Sequence, residues 1–192
     1  EIVMPKILAF SGSARKSSFN QKLVVIAAQG ARAAGADVTV ISLADYPMPI
    51  FDEDLEVSEG MPAAAKAFKQ LLIDHDGLLI ASPEYNSAFS PLLKNAIDWA
   101  SRPFGPDIKS TPPFAGKYAA IMATSPGALG GLRGLVFLRL LLSNIAVTVV
   151  PSQHAVPHAA KVFDADGSLN DTQMQQKIMN LGKALAQELL KK

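Results

Sequence analysis

A chain of 192 residues, 49% apolar and 18% charged, has the size and balance of one globular domain with a sizeable core. Its formal charge of +1 gives no global argument for a nucleic-acid or acidic-membrane partner. Cysteine is absent, which excludes disulfides, thiolate catalysis and Cys-ligated zinc or iron–sulfur centres, so an electron-transfer function would need an organic cofactor.

His75, His154 and His158 are too scattered to suggest a metal site. No apolar stretch reaches the ~20 residues that span a bilayer. The longest candidate, Leu135 to Leu142, is interrupted by Arg139. With no charged segment leading into an apolar one near the N-terminus, the expected location is the cytoplasm. Met4 reads as the natural start, with Glu1-Ile2-Val3 an addition ahead of it, so one domain is expected over 4–192.

Strand candidates are Lys6–Phe10, Asp37–Ser42, Gly77–Ala81, Tyr118–Ala123 and Ile145–Val150. Most are nearly continuous in apolar residues, as strands buried on both faces of a parallel sheet should be. Helix candidates alternate with them. Asn20–Ala34 is followed by Gly35, which suits a helix end. Met61–Ile73 carries apolar residues at helical spacing, and Pro91–Ser101 opens with a first-turn proline. Leu132–Ser143 and Asp171–Leu190 follow, with Asp171 or Thr172 as N-cap of the last. This alternation predicts right-handed βαβ crossovers and helices on both sheet faces. Two strand orders are common for such sheets, 3-2-1-4-5 and 2-1-3-4-5. Both place a ligand at the C-terminal ends of the strands.

The loops at that end are unusual. After the first strand comes Ser11-Gly-Ser-Ala-Arg-Lys-Ser-Ser-Phe-Asn20, with four serines and two cations at a helix N-terminus. Backbone N–H groups and the positive end of the helix dipole make that position an anion site. Ser11, Ser13 and Ser18 could donate to phosphate oxygens, with a charge-assisted bond from Arg15. A merely hydrophilic turn with a Ser cap is the alternative, disfavoured by the position after the first strand. The loop fits neither G-x-G-x-x-G nor the P-loop pattern.

After the third strand, Ser82-Pro-Glu-Tyr-Asn-Ser87 offers a rigid turn, an aromatic edge and amide donors. A flat heteroaromatic ring needs that combination, although a solvent-facing turn with a left-handed Asn explains the loop alone equally well. After the fourth strand, Thr124-Ser-Pro-Gly-Ala-Leu-Gly-Gly131 implies tight turns or close approach of backbone to a ligand.

At these loops the chain resembles the NADPH-dependent FMN reductase family, which includes bacterial quinone, chromate and azo-dye reductases. The resemblance runs from Lys6–Arg15 through Ser18-Phe-Asn20, Pro83-Glu-Tyr-Asn86, Leu93-Lys-Asn-Ala-Ile-Asp-Trp99 and Ser125-Pro-Gly127 to Gly130-Gly-Leu-Arg133. It implies a flavodoxin-like α/β three-layer sandwich with a five-stranded parallel sheet of order 2-1-3-4-5. It also implies bound FMN, NADPH or NADH as electron donor, and a homodimer or homotetramer. The FMN phosphate would lie at Ser11, Ser13, Arg15, Ser18 and Asn20. The isoalloxazine would be bordered by Pro83, Glu84, Tyr85 and Asn86 and flanked by Ser125 and Gly127.

Many members of the family carry glycine where this chain has Ser87, which implies a differently shaped pocket over the ring. The implied activity passes hydride through FMN to a quinone, free flavin, azo dye or metal oxyanion. The cofactor carries the chemistry, so no side chain is assigned as catalyst. Lys94 and Asp98, four apart on a helix, read as an ordinary ion pair worth about 0.3–0.5 kcal/mol, and Trp99 as a packing anchor. The rival reading is a flavodoxin-type FMN electron carrier without small-molecule turnover. Such carriers are usually strongly acidic, which this chain is not.

Overall fold

The computed structural model describes residues 4–103 and 112–191; Glu1-Ile2-Val3 and Lys192 lie outside the described residues. The order along the chain is β1 (Lys6–Ser11), α1 (Phe19–Ala33), β2 (Asp37–Val40), a 3-10 turn (Leu43–Asp45), α2 (Glu53–Glu59), α3 (Ala63–Asp74) and β3 (Gly77–Ala81). It continues through α4 (Pro91–Ser101), β4 (Tyr118–Thr124), α5 (Leu132–Asn144), β5 (Thr148–Val156), α6 (Ala159–Val162) and α7 (Thr172–Leu190). The five strands form a parallel sheet of order 2-1-3-4-5. Among the described residues no helix is long and apolar enough to cross a membrane.

The continuous apolar strands serve two cores at once, because successive side chains point to opposite faces. Ile7, Ala9, Leu79, Ala81, Ala120 and Met122 face α1 and α7. Leu8, Phe10, Leu78, Ile80, Ala119 and Ile121 face α3, α4 and α5. The two helices on the first face cross at glycines. A Cβ at Gly30 would stand 1.9 Å from the Met179 carbonyl oxygen, and one at Gly182 would stand 1.8 Å from that of Ala27. Only hydrogen fits at either crossing point.

Helix ends follow local chemistry. Gly35 adopts φ 89° after α1, with Ala36 N–H donating to Ala31 C=O and Gly35 N–H to Arg32 C=O. That is a Schellman stop. α4 starts where Ser90 accepts from the Leu93 amide and Pro91 occupies the first turn. Asp171 caps α7, accepting from the Gln173 and Met174 amides.

The fifth strand departs from the sequence-based expectation. Its predicted start, Ile145-Ala146-Val147, instead ends α5: Val147 N–H donates to Leu142 C=O and Ala146 N–H to Ser143 C=O, with Ala146 at φ 63°. This is a second Schellman stop with alanine where glycine is usual. The strand then runs through Pro151 to Val156, beyond its predicted end at Val150. Proline is tolerated because β5 lies at the sheet edge, where its missing N–H breaks no ladder. Arg139 covers that edge, donating to the carbonyls of Val149 and Val150 at 3.2 and 3.0 Å.

Among the described residues, two short helices add to the five predicted. α2 buries no residue and so carries no apolar stripe; the Asp52 cap and Gly60 at φ 77° delimit it. α6 spans a single turn.

Candidate functional site

The loops after β1, β3 and β4 converge at the C-terminal end of the sheet. They form a cleft of about 160 Å³ lined by Ser13, Arg15, Ser18, Phe19, Asn20, Pro83, Glu84, Tyr85, Thr124, Ser125 and Pro126. A neighbouring hollow of about 420 Å³ shares Ser13, Arg15 and Tyr85 and extends along Gly12 to Ser90, Pro91 and Leu92 at the start of α4.

Within the first loop the polar side chains divide into two sets. Ser18 is the N-cap of α1: its oxygen accepts from the Gln21 amide at 3.2 Å, which leaves the hydroxyl proton to donate. Ser13 accepts from the Arg15 amide at 3.3 Å and likewise retains its proton. Arg15 is exposed. With the first-turn amides of α1, whose acceptors a helix cannot supply, these groups make a donor set suited to a phosphate.

The second set builds the loop's frame. Ser11 is fully buried, and its hydroxyl donates to Gln21 Oε1 at 2.8 Å; the Gln21 amide nitrogen donates in turn to the Ile41 carbonyl at 3.0 Å. Asn20 ties α1 to the end of β4, donating to Thr124 C=O and accepting from Thr124 N–H, both at 3.0 Å. Gly12 permits close approach of α4. A Cβ there would stand 2.8 Å from Ser90 Oγ, which donates to the Gly12 carbonyl at 2.6 Å.

The second loop is a hairpin turn. Tyr85 and Ala88 exchange backbone bonds of 2.9 and 3.1 Å, and both central residues are left-handed, Asn86 at φ 51° and Ser87 at φ 71°. Tyr85 is 54% exposed and lines both the cleft and the hollow beside it. Serine is strained at a position glycine adopts freely. Ser87→Gly is expected to stabilise the protein by about 0.5–1 kcal/mol, read as a higher urea midpoint; an unchanged or lower midpoint would show that Ser87 carries no such strain.

Glu84 turns away from solvent. Its carboxylate accepts from Arg133 Nε at 2.9 Å, Arg133 Nη2 at 2.6 Å and the Gly134 amide at 3.2 Å. Burial pushes this carboxyl up, but the Arg133 and Gly134 hydrogen bonds and the guanidinium charge outweigh it, and the group titrates below the usual carboxylate range. A lowered folded value means a stabilising contribution that is complete above the unfolded value, about 4.3, and lost as pH falls through the folded one. Glu84→Gln should therefore be less stable than the wild type near neutrality, with the gap narrowing in urea titrations across the window below about pH 4.3. A gap constant across that window contradicts a charged Glu84.

In the third loop, Ser125 is tied to β5 and α6: its N–H donates to Val156 C=O, and its C=O accepts from Ala159 N–H. Gly127 accepts through its carbonyl from Gly130 and His158, and a Cβ built on it would meet nothing nearer than Ser125 Oγ at 3.8 Å. Its outer side is open to a ligand. Gly130 and Gly131 are left-handed and press on Val156 and Ala123.

On α4, Lys94 bonds both Asp98 oxygens at 2.8 and 2.7 Å, the ion pair that the spacing predicts. Trp99 is fully buried, and its indole donates to the Pro49 carbonyl at 2.8 Å. Sequence reasoning left Gln21, Ser90, Thr124 and Arg133 without roles. Each acts on a partner distant in the chain, which local pattern does not show.

Residues 5–161 match the model of the family described as NADPH-dependent FMN reductase. An NAD(P)H-dependent FMN reductase of Pseudomonas aeruginosa is 35% identical, covering 94% of this chain and 92% of the relative. An NADPH:quinone oxidoreductase of Arabidopsis thaliana is 34% identical over 90% and 86% of the two chains. The structure of a flavoenzyme NAD(P)H:(acceptor) oxidoreductase from Paracoccus denitrificans superposes with a TM-score of 0.79 at 27% identity, covering 96% of each chain. An archaeal flavodoxin shares the fold alone, at 16% identity and a TM-score of 0.63. A phosphate-suited helix start, an aromatic hairpin and an open glycine loop thus meet in one cleft of a chain that belongs to the NADPH-dependent FMN reductase family.

Proposed function

We propose that the cleft between the three loops holds FMN, and that the enzyme passes reducing equivalents from NAD(P)H to a quinone. The observation that carries this reading is the convergence, in one place, of a donor-rich helix N-terminus and two walls suited to a flat ring. The donor set fits the group: Ser13, Ser18, Arg15 and the first turn of α1 would hold the phosphate by charge-assisted and backbone bonds. Pro83, Tyr85 and Asn86 would border the ring on one side, with Ser125 and Gly127 on the other. Ser11, Asn20 and Glu84 hold the loops in place through Gln21, Thr124 and Arg133.

Bound FMN supplies the hydride-transfer chemistry, and the protein supplies binding, orientation and electrostatics. Tyr85 sits exposed at the rim, with Asn86 exposed next to it in the chain, where donor and acceptor would enter in turn. A 2-hydroxy-1,4-benzoquinone reductase of Burkholderia, 35% identical over 85% of each chain, supports a small quinone as acceptor. Azo dyes, metal oxyanions and free flavin are further candidates for the same opening. Use of a reduced nicotinamide donor supports a location in a compartment that regenerates that donor, as the cytoplasm does. Steady-state assays of the FMN-loaded protein with NADPH, NADH and a series of benzoquinones test this. Quinone-dependent oxidation of the donor is expected, and its absence with every quinone would leave the electron-carrier reading.

For assembly we infer a pairing of copies through α5. Leu132, Val136 and Leu140 recur along one face with Leu129 and Phe137 beside them, all exposed. Arg133 and Arg139 fold back onto Glu84 and β5, so the face presents little charge. A self-complementary apolar stripe suits a second copy packed about a two-fold axis. Light scattering should give a dimer or tetramer that Leu140→Glu splits, whereas a monomeric wild type contradicts the pairing.

A further inference from the structure

α5 starts without a cap of its own. Gly131, which precedes it, is left-handed at φ 91° and has no side chain to offer the first-turn amides. The acceptor comes from 50 residues away, where Glu84 Oε2 receives the Gly134 amide at 3.2 Å. Glu84 Oε1 meanwhile holds two nitrogens of Arg133, the next residue back along the helix. The Glu84 side chain is only 9% exposed, whereas that of Arg133 is 59% exposed. A two-nitrogen contact to a desolvated carboxylate is unlike the mobile surface pairs that contribute little.

The hairpin carrying Glu84 rests directly on this helix. A Cβ at Gly134 would stand 3.1 Å from the Ala88 carbonyl oxygen and 3.4 Å from Glu84 Cβ, so the absence of a side chain lets the hairpin down onto α5. The hairpin itself is closed by the two Tyr85–Ala88 bonds around two left-handed non-glycine residues. A strained turn of that kind persists when its surroundings over-determine it. Glu84, Arg133 and Gly134 are those surroundings.

We propose that Glu84 and Arg133 are positioning residues: the Glu84 carboxylate caps α5 from outside the helix, Arg133 holds it there, and the pair seats the Tyr85–Ala88 hairpin. Pro83, Glu84 and Tyr85 form one wall of the cleft, and Ser125 and Pro126, in the loop leading into α5, form the other. Breaking the strap therefore changes the spacing of the walls while leaving the sheet intact. The inference rests on the reading that this cleft takes FMN and a small acceptor, but the strap itself is testable without either.

The experiment is hydrogen exchange on the cofactor-free protein, followed by FMN titration and quinone kinetics on the loaded enzyme, for Arg133→Met, Glu84→Gln and Glu84→Ala. The Tyr85 and Ala88 amides are expected to exchange roughly tenfold faster in Glu84→Ala, with those of β1 and β3 unchanged. Arg133→Met and Glu84→Gln should give smaller accelerations, because the first keeps the carboxylate and the second keeps an acceptor for the Gly134 amide. In the loaded enzymes the quinone KM should rise more than kcat falls. Hairpin exchange at the wild-type rate in both Arg133→Met and Glu84→Ala overturns the proposal. So does acceleration spread equally over the core strands, since that marks a general loss of stability. A wild-type protein that binds no FMN would sink the cofactor reading, while the exchange pattern would still decide the strap.

Discussion

Replacing Arg15 by Ala is expected to weaken FMN binding by about 10- to 100-fold, since a bond to a charged group contributes about 1.5–3 kcal/mol and each 1.4 kcal/mol is a decade in affinity. Stability should barely move. The Arg15 side chain is exposed, and its structural contacts are made by the backbone, whose amide donates to Ser13 and whose carbonyl accepts from Ser18. Ser18→Ala behaves differently, because the same oxygen caps α1; it should lose affinity and also about 1 kcal/mol of stability. Comparing the two single variants separates the effects when FMN fluorescence titration is set beside urea unfolding. Losses that track each other in Arg15→Ala would count against a phosphate at this loop.

Trp99→Ala should show the opposite pattern, destabilising by about 3–5 kcal/mol and sparing FMN affinity in whatever folds. Trp99 is fully buried in a small cluster with Met61 and Ala65, edge-on to Phe51 at 4.9 Å between ring centroids. Its indole and the Asn95 amide both hold the Pro49 carbonyl, and so anchor the segment leading into α2. None of these residues lines the cleft. Urea unfolding and FMN titration of the same preparation check this. Affinity falling in step with stability would mean that the anchor reaches the site.

The fold was legible where the signals were local. α4 is bounded as predicted because Pro91 marks its first turn. The buried strands announce themselves because sites facing either core must be apolar. The end of α5 was hidden because Ala146 does the work that a glycine would have advertised, and β5 was cut short because Pro151 reads as a stop unless the strand is known to be an edge. No residue of α2 is fully buried, and only Leu55 packs against the Trp99 cluster, so no periodic stripe betrayed the helix.

The site divides along the same line. Loop composition located the cleft, and the donors Ser13, Arg15 and Ser18 stand where a helix N-terminus needs them. Which polar groups face inward was not legible. Ser11, Asn20 and Glu84 commit their side chains to Gln21, Thr124 and Arg133, which lie 10, 104 and 49 positions away in sequence. Pairings over such separations are a property of the folded topology.

The most direct test of the central claim is the visible spectrum of the purified protein under anaerobic conditions, loaded with FMN, before and after NADPH. A flavin band that travels with the protein and bleaches on addition of NADPH is the predicted result. Protein that retains no flavin, or bound flavin that stays oxidised with both NADPH and NADH, would contradict it.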